Sequence, residues 1–360
     1  MKCKVFLSDV GFGHLVRQRA IFEELTRLEP ELDVTVQTRT FADAARRMFN
    51  NAELIEKFNN IEWARNKDGS PDLASIGSFF NDYLTRSVGF IAAEENSIAK
   101  YDFVISDFVY EAFPLARKVA LPVFGVAHFT WDWFFSKLYP PPVSYDVIKQ
   151  MQHYAQMADV MYFPPFTPKE ILSFYEGKAI QVPFIVSKDK NDIAFKRNGN
   201  FNVLIMDSGA NVLSEHINLA VQQINEIKDM HFLISDRYHL EANNITTIPE
   251  NHFFSDYIPH VDLVITRGGF NTISECIAHR TPILLIGESS NPEIEQNLLF
   301  IKHEQLGSFV SLERFVYSLK TVLSSFVEHE YPQILAHMRD HEYEINGAQI
   351  IAEDILDRVR

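Results

Sequence analysis

Three short segments of this chain combine residue types and spacings suited to chemistry. The first reads Asp9-Val10-Gly11-Phe12-Gly13-His14-Leu15-Val16-Arg17 and joins an apolar run to a helical pattern. Gly11 and Gly13 let the backbone turn tightly and approach a ligand, and the helix that follows presents free N–H groups in its first turn. Val16 holds the third glycine position of G-x-G-x-x-G, so a dinucleotide fingerprint is incomplete and NAD or FAD is discounted. What remains is His14 and Arg17, one helical turn apart, with an imidazole available as a base. The plain alternative is a tight turn with His14 as a helix cap. Downstream, Ser106-Asp107-Phe108 ends another apolar run. On the rim of a doubly wound sheet, Asp107 can orient the imidazole and stabilise its charged form; as an alternative it caps the next helix.

The richest segment is Asp262-Leu263-Val264-Ile265-Thr266-Arg267-Gly268-Gly269-Phe270-Asn271-Thr272-Ile273-Ser274-Glu275-Cys276. A buried-strand pattern runs into Arg267 and two glycines, and a helix opens with Asn271 and Thr272. Small residues, N–H groups, a hydroxyl and a guanidinium make a pyrophosphate cradle, and Glu275 stands one turn on, where it can accept from a ribose diol. A Gly-Gly turn with an Asn or Thr cap is the alternative. A third polar element carries Glu295 and Gln296, suited to sugar hydroxyls. The run Trp131-Asp132-Trp133-Phe134-Phe135 reads as a stacking platform for a sugar or acceptor, or as core. There is no G-x-x-x-x-G-K-[ST] loop, H-E-x-x-H, C-x-x-C, G-x-S-x-G or D-x-D in the chain, and nothing in it calls for a metal or cofactor.

These segments need a scaffold of alternating strands and helices, and the chain supplies that rhythm twice. In the first half, strands are expected at Lys4 to Ser8, Asp33 to Gln37, Phe103 to Ser106 and Pro122 to Val126. A helix is expected from Leu15 to Leu28, and one long amphipathic helix carries Ile76, Phe80, Tyr83 and Leu84. The polar stretch from Ser187 to Asn200 reads as a linker. Beyond it, strands are expected at Val203 to Met206, His231 to Ser235, Asp262 to Thr266 and Ile283 to Gly287, with helices from about Leu213 to Ile227 and from about Asn271. The expected fold is α/β, two doubly wound, Rossmann-like domains facing across a cleft. Their extents are 1–186, a linker at 187–200, 201–335, and a final helical segment 336–360.

Composition narrows the function classes. The chain has 360 residues, 46% hydrophobic and 22% charged, the profile of a folded, water-soluble protein. Lys plus Arg number 33 against 48 Asp plus Glu, a formal charge of -15, which repels nucleic acid and anionic lipid. The only cysteines, Cys3 and Cys276, fit a reducing compartment as inert thiols. Asp9 interrupts the first apolar run too early for a signal peptide, and no run suffices for a membrane span. A cytoplasmic protein is expected.

Taken in order, GFGHLVR at Gly11 to Arg17, VISDF at Val104 to Phe108, HFTWDWFF at His128 to Phe135, DLVITRGGFNTISE at Asp262 to Glu275, EQ at Glu295 and Gln296, and ING at Ile345 to Gly347 form a set. The set resembles the GT-B glycosyltransferases that use nucleotide-diphosphate sugars. It is most like the lipid-linked N-acetylglucosaminyltransferase branch and the glycosyltransferase-like N-terminal region of arabinokinases. The resemblance implies an acceptor-side first domain and a donor-binding second one, with a C-terminal helix, Gln349 to Val359, crossing back to the first. It implies that His14 is the base and Asp107 its support. Gly268, Gly269 and Thr272 then lie at the donor phosphates, Glu275 at the ribose and Gln296 at the sugar. Gly13, Arg17, Arg267, Asn271 and Glu295 join the donor side, as do Ser208 and Gly209 of the loop Met206-Asp207-Ser208-Gly209-Ala210-Asn211. That loop departs from the usual glycine pair, and Asp207 there would repel a diphosphate. Arg267 stands where many relatives carry His, and Leu299 where Asn is common. The implied activity is inverting, metal-independent transfer of a sugar, from a UDP-sugar for preference, to an unknown hydroxyl acceptor, with weak membrane association at most. A sugar-nucleotide hydrolase and a non-catalytic sugar-nucleotide-binding module are the alternatives.

Overall fold

The structure, a computed structural model, describes residues 1–66, 69–188, 193, 195, 197, 199–207, 213–287 and 290–360, without the side chains of 214, 215, 221 and 222. The chain divides into two compact units: Met1–Asn66, Pro71–Ser187 and Glu344–Arg360 form one, and Lys67–Ser70 with Lys188–Tyr343 the other. The stretch 187–200, read as a linker, falls partly on residues outside the description.

The first unit carries β1 (Lys2–Leu7), β2 (Asp33–Gln37), β3 (Glu53–Ile55), β4 (Phe103–Asp107), β5 (Val123–Val126), β6 (Val160–Phe163) and β7 (Ala179–Gln181). They form one sheet in the order β3-β2-β1-β4-β5-β6-β7, every pair parallel. The second unit carries β8 (Phe201–Met206), β9 (Met230–Ser235), β10 (Ile245–Ile248), β11 (Leu263–Thr266), β12 (Ile283–Gly287) and β13 (Gly307–Ser311), in the order β10-β9-β8-β11-β12-β13, again all parallel. Both are doubly wound, and each changes winding direction at its centre, between β1 and β4 or between β8 and β11. Parallel sheets of this kind bind ligands at the carboxyl ends of the strands beside that change. The central strands are buried nearly throughout because helices cover both faces, so they read as continuous apolar runs.

Register decides what meets at the rim. Pairing of β1 with β4 sets Leu7 opposite Asp107, and the Ser8 N–H donates to the Asp107 carbonyl at 3.0 Å. The loop carrying Gly11 to His14 therefore starts beside the Asp107 side chain. In the second unit, β8 and β11 pair Met206 with Thr266, which makes Asp207 and Arg267 neighbours at the ends of adjacent strands.

The helix expected to run through Ile76, Phe80, Tyr83 and Leu84 is two helices, Leu73–Phe80 and Tyr83–Ile98. Asn81-Asp82 separates them, residue types that favour helix ends over interiors because their side chains compete for the backbone. Leu84 is 40% exposed rather than core. The segment 336–360, expected as one crossing element, divides between a helix Tyr331–Asp340 in the second unit and a helix Gly347–Val359 that packs against Gly13–Leu28 in the first. Gly347 is needed where the chain returns: a Cβ there would lie 2.2 Å from the Pro183 carbonyl oxygen. The aromatic run at 131–135 is core. Trp131, Trp133, Phe134 and Phe135 are buried with Trp63, Phe80, Phe108 and Phe129, and each large apolar side chain so buried contributes roughly 1.5–3 kcal/mol.

Candidate functional site

In the first unit the site grows from the helix Gly13–Leu28. Gly11 takes a left-handed φ of +88°, which lets β1 swing into this helix, and a Cβ at that position would lie 3.9 Å from His14 Cδ2 and 4.0 Å from its Nε2. Phe12 occupies the N-cap with no side-chain cap, so His14 is not the cap, and its ring turns instead to the end of β4. There His14 Nδ1 lies 2.7 Å from Asp107 Oδ1. Arg17 donates from Nη2 to the same oxygen at 2.5 Å and from Nε to Oδ2 at 3.0 Å, and Gln18 Nε2 donates to Oδ2 at 2.9 Å. Residues 14, 17 and 18 share one helix face at i, i+3 and i+4, so a single helix wraps the carboxylate. Asp107 caps nothing: the next helix starts at Ala112 with Glu111 at its N-cap.

The Asp107 and Arg17 side chains are both 0% exposed. Burial pushes the Asp107 carboxyl up, but the charges of Arg17 and then His14 outweigh it and hold the group at about 2. It is therefore ionised throughout the physiological range and accepts hydrogen bonds only. The proton between it and His14 accordingly sits on Nδ1, so in the neutral ring the lone pair is on Nε2. Arg17, expected on the donor side, is committed elsewhere: besides Asp107, its Nη1 donates to His128 Nδ1 at 2.9 Å. A guanidinium so enclosed does not reach a phosphate, and its place is beneath the imidazole. Phe108, next along from Asp107, has φ +63°, an unusual value for an aromatic residue, and its ring meets the His14 ring edge-on at 5.1 Å. The Trp131 ring centroid lies 6.4 Å from that of the imidazole, tilted by 49°.

Gln18 is not among the residues expected from sequence, and His128 enters there only as the start of the segment HFTWDWFF, with no role. Gln18 carries a usable signal, since it follows His14 by one turn. His128 lies just past β5, the neighbour of β4, and only the strand order brings it near.

In the second unit, β11 delivers Arg267, 4% exposed, to the rim. Gly268 then takes φ +88°, and Gly269 is the N-cap of the helix Phe270–Ala278. A Cβ on Gly269 would meet no described residue within 4 Å. Asn271 and Thr272 are half-buried in the first turn, and Asn271 Oδ1 has no hydrogen-bond partner among the described residues. Asn297, unanticipated, donates from Nδ2 to the Gly268 carbonyl at 2.9 Å and fixes the glycine turn from the helix Pro292–His303. Glu275 is buried, with a carboxylate oxygen 3.8 Å from His279 Nε2. Glu295 is exposed and accepts from the Ser290 N–H at 3.2 Å, while Gln296 is half-buried beside it. Ser208 and Gly209 lie outside the described residues. Asp207, expected to repel a diphosphate, has partners within the protein: Oδ2 accepts from the Leu213 N–H at 2.8 Å and lies 3.9 Å from Arg237 Nη2. Arg17, His14 and Asp107 thus form one cluster in the first unit, and Arg267 to Thr272 with Asn297 another in the second.

No protein-family model matches the chain. It is 28% identical, over 98% of its own length and 97% of the other's, to the UDP-N-acetylglucosamine–N-acetylmuramyl-(pentapeptide) pyrophosphoryl-undecaprenol N-acetylglucosamine transferase of Thermosipho africanus. Among solved structures, the glycotransferase of kitacinnamycin matches with TM-score 0.67 at 16% identity, covering 99% of this chain and 98% of that one. MurG of Acinetobacter baumannii matches with TM-score 0.60 at 15% identity, covering 99% of each. The chain has the GT-B fold over its length, and these sequence and structural relatives are glycosyltransferases, one of them an N-acetylglucosamine transferase. No helix among the described residues is long and apolar enough to cross a membrane.

Proposed function

We propose that this chain, with the GT-B fold and glycosyltransferases for relatives, transfers a sugar from a nucleotide-diphosphate donor to a hydroxyl acceptor. The observation that carries the reading is the imidazole of His14, held through Nδ1 by a buried carboxylate at 2.7 Å, so that the neutral ring carries its lone pair on Nε2. In the proposed reaction the acceptor hydroxyl gives its proton to His14 Nε2 while its oxygen bonds to the anomeric carbon. The bond from that carbon to the diphosphate breaks, and the nucleoside diphosphate leaves with the electron pair. Attack opposite the leaving group inverts the anomeric centre. Asp107 keeps the ring in the required tautomer and stabilises the imidazolium that forms.

The donor is assigned to the second unit. Arg267, the Gly268-Gly269 turn and the N–H groups that open the helix Phe270–Ala278 suit a diphosphate and the charge it gains on leaving, a role that asks for no metal. Thr272 and Asn271 supply side-chain donors there, Glu275 is assigned to the ribose, and Glu295 and Gln296 to the sugar. The N-acetylglucosamine transferase relative favours a UDP-sugar. The acceptor is a hydroxyl compound, and nucleic acid is no partner for a chain of net charge -15.

The test is a thermal-shift screen against nucleoside diphosphates and their sugars, since a ligand of the native state alone raises its apparent stability. Product analysis with candidate acceptors then follows for any sugar that binds. A UDP-sugar is expected to raise the transition, and His14→Ala to keep that binding and lose product by at least roughly 10²-fold. Release of free sugar at full rate without acceptor would make the protein a hydrolase. Tight binding without product, unaltered by His14→Ala, would make it a binding module.

A further inference from the structure

Two imidazoles, His14 and His128, are buried at this rim, and one guanidinium touches both. We infer that Arg17 is a positioning residue that sets the two rings in opposite proton states, so that His14 is a base at this rim and His128 is not. The inference deepens the proposed reading and rests on it for what the base does, though not for how the protons are placed.

The argument follows from what each group can donate. Arginine has five N–H donors, no acceptor, and does not lose its proton in proteins. At 2.9 Å from Arg17 Nη1, His128 Nδ1 must therefore present its lone pair, and the ring carries its proton on Nε2. At His14 the situation is the reverse. Its Nδ1 lies 2.7 Å from a carboxylate oxygen that only accepts, so Nδ1 carries the proton. Arg17 Nη2 is 3.2 Å from the same nitrogen, but both groups are donors that converge on Asp107 Oδ1, and the contact between them is a consequence of that shared acceptor. The His14 lone pair is left on Nε2, on the side of the Gly11 turn.

Three bonds at fixed angles from one planar group produce this division. Nε and Nη2 hold Asp107, and Nη1 holds His128. The fork is 0% exposed, so water does not compete for it. Protonation of His128 at Nδ1 would place two cations 2.9 Å apart with no lone pair between them. A lysine in place of Arg17 would keep the charge as a single point and lose the fork.

The test reads tautomers directly in the full-length chain, with no substrate present. Long-range proton–nitrogen correlation spectra of protein labelled with nitrogen-15 histidine are recorded at neutral pH, and His14→Gln and His128→Gln serve to assign the two rings. Expected is a protonated Nδ1 and bare Nε2 at His14, with the opposite at His128. The same tautomer on both rings overturns the inference, and this needs no change at Arg17. In Arg17→Lys, if its tryptophan fluorescence remains native, His128 is expected to lose its single tautomer; an unchanged His128 pattern also overturns the inference. Once a donor is known, Arg17→Lys should lower kcat by roughly 10²-fold with donor KM within about twofold, because the base is misplaced and the donor is bound elsewhere. Failure to find any donor would count against the proposed reaction and leave the tautomer result standing.

Discussion

Replacing Asp107 with Asn tests the ion pair on which the first-unit site is built. The carboxylate takes four N–H donors, from His14 Nδ1, Arg17 Nε and Nη2, and Gln18 Nε2. An amide offers one oxygen and turns an NH2 group toward the other donors. Arg17 is then a buried cation without its counter-charge, which costs about 3–5 kcal/mol. With an m-value of roughly 2 kcal/mol per molar urea, the unfolding midpoint falls by about 1.5–2.5 M. The assay is selective because the chain's three tryptophans, Trp63, Trp131 and Trp133, all belong to the first unit. Tryptophan fluorescence, excited selectively over tyrosine, therefore follows that unit alone.

The same pair predicts a pH dependence. The carboxyl is held at about 2 in the folded state, against about 3.9 unfolded, and the difference is worth roughly 2–3 kcal/mol. Because the folded value is the lower one, this stability is complete above about pH 5 and is lost as pH falls toward 2. Asn does not titrate, so the gap between the native chain and Asp107→Asn should narrow by about 2 kcal/mol from pH 5 to pH 2. A midpoint shift under about 0.5 M at pH 7, or a gap that stays constant in acid, would refute the claim that Asp107 carries the Arg17 charge.

Three further outcomes can be checked simply. Gly268→Ala meets a left-handed φ and places a methyl 3.2 Å from Leu285 Cδ2, so it should cost about 1–2 kcal/mol in thermal unfolding. Gly269→Ala, at φ −64° with no described residue within 4 Å of the added methyl, should change stability by less than about 0.5 kcal/mol yet weaken nucleoside diphosphate binding in calorimetry, because the methyl would stand where the proposed reading puts the diphosphate. Cys3 and Cys276 are both fully buried, and burial pushes both thiols up. Neither should react with Ellman's reagent until denaturant is added, and a native chain that reacts promptly would show that one of these cores opens.

Much of the scaffold could be read directly. Strands Asp33–Gln37 and Ile283–Gly287 were legible to the residue, because apolar runs bounded by polar or turn residues have few other uses. Short edge strands were not: Glu53–Ile55 and Ala179–Gln181 are half-exposed three-residue segments with no periodicity to detect. The break at Asn81-Asp82 was hidden because the apolar spacing carries on across it, and the cap residues outweigh that spacing locally. His14 and Asp107 are visible as chemistry-bearing residues at strand ends. Their company is not: Arg17 reads as a phosphate ligand until its bonds to Asp107 and His128 are seen. Sequence separation hides the rest, since His128 lies 111 residues from Arg17 and Asn297 lies 29 from Gly268. Those contacts exist only through strand order, which a local pattern does not encode.

The return of the chain at Glu344 bears on the order in which this protein is made. The Phe184 N–H donates to the Glu344 carbonyl, the Gly347 N–H donates back to Phe184, and Ile185 bridges to Asn346, so the exit and re-entry points of the first unit adjoin. Topologically the later sheet is an insert, encoded in one uninterrupted stretch. On a ribosome it can close while the unit that was started earlier still lacks the helix Gly347–Val359, and with it the cover over Gly13–Leu28. The unit that opens with β1 is therefore completed only after the inserted one, and loss of the helix Gly347–Val359 would injure the unit that carries His14.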